Sequence, residues 1–266
     1  MCSNLSLAVY TALFGAYDIL PPPRINSSRN SLTFICFTDE PESVPAPWKT
    51  VYVDSSELGP ALTNRKIKIL GHDVLAQFSG SLYVDANIGI RRDPTPFIKR
   101  ALKLGPLSIP QHPRRICVYD ELDAVVATGK ADYKKVHTLE EQLRSEGYPT
   151  GLGLTENSII VRIAGMPELD SFMSQWWQAV KEGPHRDQLH LQPVAWRQSF
   201  EINVLDRNGS FLNKHFRKFP HATKINSQSR RVFTWLARNY SSPVAEYLEF
   251  LIDASRYLRR KWSHLK

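Results

Sequence analysis

The sequence predicts an α/β fold, a mixed β-sheet flanked by helices, from three observations. Short segments rich in β-branched and aromatic residues recur between residues 5 and 163. Residues 82–84 form a continuous apolar run, which is typical of a strand covered on both faces. Apolar residues with helical spacing over residues 64–78 lead into that run. The order strand, loop, strand, strand, helix, strand favours a layered α/β fold over a sandwich or a helical bundle.

Turn sequences separate the predicted elements, as at the three prolines 21–23 and at the polar residues 38–41. The first strand is close to the N-terminus and is suited to the centre of the sheet. A polar segment is expected around residues 139–147. The predicted elements up to residue 90 are, in chain order, strands at 5–13, 32–37 and 48–53, a helix at 64–78, and a strand, Asp-x-Asn and a second strand within 81–90. They continue with a short helix from 93, a loop and strand at 106–116, a helix at 119–135, a strand at 158–163, a helix at 166–181 and a helical or turn segment from 185.

Composition limits the class of protein. The 266 residues, 42% of them hydrophobic, are enough for one large core or for a core with an appendage. The formal charge of +8 favours an anionic partner, a nucleotide, an anionic lipid surface or a nucleic acid, without choosing among them. The three cysteines form no C-x-x-C pair, so neither a disulfide framework nor a zinc site is predicted. Because residues 1–7 lack a basic start and no apolar run approaches about 20 residues, a cytosolic setting is expected.

Two polar side chains follow the buried run at residues 82–84. Asp85 and Asn87 are expected at the carboxyl end of a central strand, where open α/β sheets bind their ligands. Residues two apart in an extended segment point the same way, so both side chains can present a hard oxygen to one cation. The alternative is a turn in which Asp85 and Asn87 bond their own backbone.

Two further carboxylates are candidates for a site. Glu156 precedes a predicted strand after a glycine-broken approach, and Asp187 opens a helical or turn segment. A substrate site is one interpretation of Glu156, and a loop end that satisfies backbone donors is the other. For Asp187 the alternative is an ordinary acid in the first turn of a helix.

The C-terminal part differs in composition, and we expect a division into residues 1–205 and a basic, mainly helical extension, residues 206–266. Residues 244–262 read as an amphipathic helix with Leu248, Leu251, Ile252 and Leu258 on one side. Basic residues gather near its end, at 256 and 259–261. Packing on the preceding domain and contact with an anionic membrane surface are the two interpretations.

Seven short motifs occur in a characteristic order between residue 9 and about residue 197. They are VYTALFGAYD at 9–18, CFTD at 36–39, RKIKILGH at 65–72, YVDANI at 83–88, HPRR at 112–115, GLTENSIIVR at 153–162 and RDQL at 186–189. Together they resemble nucleotide-sugar glycosyltransferases with the GT-A fold. Specifically, they resemble the TOD1/MUCI70-like glycosyltransferase domain, once catalogued as a domain of unknown function and shared by bacterial polysaccharide enzymes and plant proteins. The resemblance implies a GT-A-like (Rossmann-like) sheet.

The resemblance also implies where a nucleotide-sugar donor binds. It assigns the nucleotide to the first strand and its loop, and the diphosphate to a D-x-D element whose counterpart is Asp85-Ala86-Asn87, with Mn²⁺ or Mg²⁺ as the expected metal. Asn87 departs from the family pattern, because an amide oxygen binds a cation but brings no charge. A late histidine, His221 rather than His215, is the expected third metal ligand. The remaining donor-binding residues are Thr11, Phe14, Gly15, Tyr17, Asp18, Arg65, Lys68 and Gln188.

For catalysis, an inverting transfer needs a carboxylate that takes the proton of the acceptor hydroxyl. By position in the resemblance, Asp187 is the first candidate and Glu156 the second. Arg65 and Lys68, one helical turn apart, can stabilise the charge of the leaving diphosphate, although a solvated helix face explains them as well. Whether the anomeric configuration is retained does not follow from the sequence.

We therefore expect a cytoplasmic glycosyltransferase, peripheral at the inner face of a membrane or free of it. It would move a sugar from a nucleotide donor to a glycan or lipid-linked saccharide in polysaccharide or lipopolysaccharide biosynthesis. One alternative is a non-catalytic module that binds anionic glycan or nucleic acid. Nucleic acid is not the expected partner, because the basic residues are spread along the chain and do not alternate with aromatic residues. A second alternative is a metal-dependent hydrolase built on Asp85 and His221.

Overall fold

The computed structural model describes residues 5–25, 32–205, 214–221 and 227–252. The strands are β1 (Leu7–Leu13), β2 (Leu32–Thr38), β3 (Lys49–Tyr52), β4 (Gly80–Val84), β5 (Ile88–Ile90), β6 (Leu107–Pro110), β7 (Ile159–Ile163), β8 (Asn203–Leu205) and β9 (Phe216–Lys218). The helices are α1 (Gly59–Leu70), α2 (Thr95–Leu104), α3 (Val118–Ala127), α4 (Tyr133–Ser145), α5 (Pro167–Glu182), α6 (Asp187–Gln198) and α7 (Ser227–Arg238). Residues 243–252 are also helical.

Seven strands form one mixed sheet in the order β3-β2-β1-β4-β7-β6-β8. β1 pairs in parallel with β2 and β4, and β7 runs antiparallel to β4 and β6. β5 and β9 form a separate antiparallel pair. The predicted α/β class with a mixed, helix-flanked sheet is confirmed, and the first strand lies inside the sheet as expected.

Apolar residues on both faces of β1 account for its position. All seven of its residues are buried. Tyr10 faces one layer of the core, which includes Trp176 of α5, whereas Val9 faces the other, which includes Ile98 of α2. A strand covered on both faces needs no polar alternation, so its sequence is a nearly continuous apolar run.

Two predicted helices have wrong boundaries. The predicted helix at 64–78 ends as α1 at Leu70, because Gly71 has a φ of 76° and a short 3-10 turn follows it. The helix predicted at 119–135 is two helices, since α3 ends at Ala127 and Gly129 has a φ of 60°. The polar segment expected around 139–147, for which no secondary structure was predicted, belongs largely to α4, which buries Val136, Leu139 and Leu143 at spacings of three and four.

Within residues 81–90, the two strands predicted on either side of Asp85-Ala86-Asn87 are both present. β4 ends at Val84, and β5 begins at Ile88 in the other sheet. Asp85 and Asn87 therefore lie in the turn between the two sheets. The Ile88 backbone N–H donates to the Asp85 carbonyl over 2.9 Å, which closes this turn.

The described C-terminal segments pack on the rest of the molecule. Tyr240 and Ala245 form a small apolar cluster with Phe219, and Ile19 packs against it. Leu248 and Ile252 contact this cluster as predicted, whereas Leu251 is 44% exposed. The predicted helix residues from 253 onward lie outside the described residues. Within the described residues, no helix has the length and apolarity needed to cross a membrane.

Candidate active site

A cleft of about 870 Å³ opens at the carboxyl ends of β1 and β4. The lining includes residues of α1, of the start of α6 and of the segments 112–115 and 128–130. Residues 156–158, before β7, Lys218 at the end of β9 and His221 after it also line the cleft. This is the edge of the sheet at which open α/β proteins bind ligands.

The loop after β1 is held in a tight turn at the mouth of the cleft. Gly15 and Ala16 have φ values of 62° and 48°, and the Gly15 N–H donates to Asp39 Oδ1 over 3.0 Å. Ser55 Oγ donates to the other Asp39 oxygen over 2.7 Å. A β-carbon at Gly15 would lie 3.0 Å from the Pro60 side chain, so a glycine is required both by conformation and by space.

Two predicted donor-binding residues of this loop meet a residue from the end of the domain. Asp18 Oδ2 lies 2.8 Å from His221 Nδ1, and the rings of Tyr17 and His221 are 5.3 Å apart. Tyr17 is 46% exposed, so its ring is available to a ligand. The loop and the distant histidine, which are more than 200 positions apart, form one side of the cleft.

Lys68, which also lines the cleft, lies between two carboxylates. Its Nζ is 2.8 Å from Asp187 Oδ2 and 3.4 Å from Asp85 Oδ1. Tyr83 donates its hydroxyl to the same Asp85 oxygen over 3.0 Å. Asp85 Oδ2 makes no hydrogen bond or ion pair with the described residues. Because Lys68 is only 6% exposed, its ammonium group is held in place by charge in a partly dehydrated setting.

The positions of these three groups follow from three elements. Lys68 is in the last turn of α1, Asp85 follows β4, and Asp187 is the first residue of α6, where a carboxylate meets the positive end of the helix dipole. Arg162 of β7 fastens the end of α1 to the sheet, because its guanidinium donates to the carbonyls of Lys68 and Ile69.

The charges around Asp187 determine its protonation. Burial alone would raise the pKa of Asp187, but Lys68, and then Arg65 and Arg186, more than offset this and hold the pKa well below its usual value. Burial lowers the pKa of Lys68, but Asp187 and Asp85 reverse this and raise it. Both groups are therefore charged at neutral pH. Burial and the Asp85 carboxylate raise the pKa of Tyr83, so that its hydroxyl remains a donor.

The second predicted carboxylate, Glu156, is also paired. Lys218 Nζ lies 2.7 Å from Glu156 Oε1, and Glu156 is 5% exposed. Its backbone N–H donates to the Pro110 carbonyl over 2.8 Å, which fixes its position next to β6. Gln188 donates its amide to the Thr155 carbonyl over 3.1 Å and so connects α6 to the same segment.

The cleft brings together most of the predicted residues. Thr11 is fully buried within β1 and Asn87 is 2% exposed, and neither is among the lining residues. The predicted residues that line the cleft are Phe14, Gly15, Tyr17, Asp18, Arg65, Lys68, Asp85, Glu156, Asp187, Gln188 and His221.

Asn87 is part of a connection beneath the cleft. Its Nδ2 donates to the Phe219 carbonyl over 2.6 Å, and the Phe219 N–H donates back to the Asn87 carbonyl over 2.8 Å. These bonds hold the segment that carries Lys218 and His221 against the floor of the cleft.

The expected metal ligands do not fit a divalent cation in this arrangement. Among the described residues, no group of three or more His, Cys, Asp or Glu side chains is placed to hold a metal. Asn87 is not in the cleft lining, and one Asp85 oxygen is shared by Tyr83 and Lys68. An ammonium group 3.4 Å from Asp85 also repels a second cation there.

Sequence reasoning assigned no role to several residues that the fold places at or around this cleft. Asp39 holds the loop after β1, and Tyr83 orients Asp85. Arg115, whose guanidinium bonds Glu121, and Arg186 line the cleft. Asp39, Arg115 and Arg186 occur in the motifs CFTD, HPRR and RDQL, so the motifs contained a signal, but their spacing did not indicate which side chains face the cleft.

The chain was compared with known proteins at the levels of sequence, structure and family. No curated protein matches the chain in sequence. Among solved structures, mouse xyloside xylosyltransferase 1 in its apo form is similar, with a TM-score of 0.43 and 11% identity over 76% of this chain and 85% of that chain. The model of the family described as "TOD1/MUCI70, glycosyltransferase-like domain" matches residues 1–222. The chain therefore belongs to the TOD1/MUCI70 glycosyltransferase-like domain family.

Proposed function

We propose that this protein is a glycosyltransferase that moves a sugar from a nucleotide-sugar donor to a glycan or lipid-linked saccharide. The observation that carries the proposal is the cleft at the carboxyl ends of β1 and β4, in which the Lys68 ammonium is held between Asp85 and Asp187. A nucleoside diphosphate leaving group gains negative charge as the glycosidic bond breaks, and a fixed cation stabilises that charge.

In this proposal the loop after β1 receives the nucleoside. Tyr17 offers an exposed ring to stack on the base, and the backbone around Gly15 permits close approach of a ligand. Asp85 retains a carboxylate oxygen, Oδ2, that makes no bond with the described residues and can accept a ribose hydroxyl. Lys68, which also lines the cleft, then faces the diphosphate.

The two predicted catalytic carboxylates receive different roles. Because its pKa lies well below the usual value, Asp187 is a weak base, and we assign it the role of holding Lys68 in position. Glu156 is then the proton acceptor in an inverting transfer, with Lys218 orienting it from 2.7 Å. In a retaining transfer Glu156 would not act as this base.

The proposal extends to the acceptor and to the cellular setting. The cationic lining of the cleft suits an anionic or lipid-linked saccharide of the kind used in polysaccharide biosynthesis. Trp235, Tyr247 and Phe250, near the C-terminus, are exposed by 42%, 63% and 67%. Aromatic side chains of this kind favour a peripheral contact at the cytoplasmic face of a membrane.

Calorimetric binding of UDP, GDP, dTDP and CMP to the wild type and to Asp85→Ala tests the donor site. We expect one nucleotide to bind the wild type, and about tenfold or more weaker binding to the variant, because the ribose contact is lost. Glu156→Gln should retain nucleotide binding and lose transfer from the corresponding nucleotide sugar. Absence of binding by every nucleotide would refute the proposed function.

A further inference from the structure

Two arginines that line the cleft have no carboxylate partner in the part of the chain that the structure describes. They are Arg65 of α1 and Arg186, the residue before α6, and both line the same cleft as Lys68. The Nε of each is buried and without a hydrogen-bond partner among the described residues. Within the same residues, Arg65 donates only to the Ala61 carbonyl, over 2.7 Å.

Unsatisfied guanidinium donors in a cleft indicate an anionic ligand. A guanidinium has five N–H donors in a rigid plane that matches phosphate oxygens, whereas an exposed arginine on a helix surface needs no ligand. Arg65, Arg186, Lys68 and Asp187 line the same cleft, and both guanidinium groups help to lower the pKa of Asp187. The cluster has three cations against the two carboxylates Asp85 and Asp187.

We propose that Arg65, Arg186 and Lys68 form a site that binds the diphosphate of the donor without a divalent cation. Lys68 is already neutralised by its two carboxylates, so Arg65 and Arg186 supply the charge that the phosphates require. The inference rests on the proposed function, because it takes the donor to be a nucleoside diphosphate sugar.

The turn at residues 85–87 agrees with this inference. An asparagine at position 87 donates to the Phe219 carbonyl, which a carboxylate cannot do. The family pattern has a second aspartate where this chain has Asn87. The asparagine at this position therefore has a structural reason that does not involve a metal.

The test measures calorimetric binding of inorganic pyrophosphate and of the four nucleotides, in EDTA and in Mn²⁺. We expect pyrophosphate and one nucleoside diphosphate to bind in EDTA. Arg65→Ala and Arg186→Ala should each weaken both ligands by about tenfold to a hundredfold. Arg65→Lys and Arg186→Lys should recover part of the loss, because they keep the charge but not the paired donors.

Lys66→Ala is the matched control, since Lys66 is an exposed cation on the same helix and does not line the cleft. Its affinity for pyrophosphate should equal that of the wild type, and thermal unfolding should show that all variants are folded. Nucleotide binding that requires Mn²⁺ would overturn this inference and leave the proposed function intact. Absence of both nucleotide and pyrophosphate binding would overturn both.

Discussion

At the scale of single residues, the cleft is organised by side chains that hold one another. Lys68 is fixed by Asp187 at 2.8 Å and by Asp85 at 3.4 Å, and Tyr83 fixes Asp85. Removing one member of such a buried set leaves an uncompensated charge, which costs more than the pair contributes. The arrangement of charges in the cleft and local stability are therefore linked.

The first prediction concerns pH. The pKa of Asp187 is lowered in the folded state, so its contribution to stability is complete above its unfolded pKa of about 3.9 and is lost as pH falls toward the folded pKa. Urea unfolding at pH 7 should show Asp187→Asn to be less stable than the wild type by about 3–5 kcal/mol. The difference should shrink below about pH 4. The assignment would be contradicted if the difference in unfolding free energy between the variant and the wild type stayed constant down to about pH 2.5, which is more than one unit below the unfolded pKa.

The second prediction concerns Asn87. Asn87→Asp places a carboxylate against the Phe219 carbonyl, which now accepts a hydrogen bond over 2.6 Å, and should lower the free energy of unfolding by about 1–3 kcal/mol. If Asn87 were a metal ligand, the added charge would instead increase affinity for Mn²⁺. Chemical denaturation with and without Mn²⁺ separates the two, and stabilisation of the variant by Mn²⁺ would refute the structural role.

At the scale of elements, the site depends on how strands and helices end. β1 and β4 end at the cleft, α6 begins there, and the loop after β1 turns through two residues with positive φ. These ends are the parts of an α/β fold that carry ligands, because the strands themselves are buried.

The third prediction concerns the turn after β1. Gly15→Ala should lower the free energy of unfolding by about 1–2 kcal/mol through its positive φ, and should also weaken nucleotide binding because the turn must shift away from Pro60. Gly147→Ala is the control: its φ is 74°, nothing lies within 4 Å of an added β-carbon, and it is not in the cleft lining. Urea unfolding should show similar destabilisation of both variants. Calorimetry should show weaker nucleotide binding by the Gly15 variant than by the Gly147 variant. Equal nucleotide affinity of the two would contradict a role of this turn in binding.

Element boundaries show where prediction from sequence succeeded. The β1, β2 and β7 strands were predicted within a few residues, because apolar runs covered on both faces are distinctive. α4 was missed because its surface is polar, and only Val136, Leu139 and Leu143 reveal its buried side. The interruption at Gly71 was missed because one glycine in a helical pattern does not reveal whether its φ is positive.

At the scale of the whole molecule, the C-terminal segments are joined to the sheet domain by a buried ion cluster. Glu249 is 1% exposed, and its carboxylate lies 2.5 Å from an Arg24 nitrogen and 3.4 Å from nitrogens of Arg91 and Arg217. Arg217 belongs to β9, next to Lys218, so this cluster also supports one side of the cleft.

The fourth prediction follows from that cluster. Glu249→Gln removes the only described carboxylate that Arg24 pairs with, and should cost about 3–5 kcal/mol of stability. Limited proteolysis should then cut the C-terminal segments faster than in the wild type. Glu246→Gln, three positions earlier at an exposed site, should behave like the wild type. Unchanged stability of the Glu249 variant would show that apolar packing alone holds these segments.

The sequence by itself determined the α/β class, the central position of β1 and the set of polar motifs that follow the strands, because hydrophobic periodicity and local turn chemistry are written in neighbouring residues. Only the tertiary structure decided which of those polar residues act together. Lys68, Asp85 and Asp187 meet across α1, β4 and α6, and Asp18 meets His221 from the other end of the domain. Such contacts depend on strand order and helix packing, which no local pattern encodes.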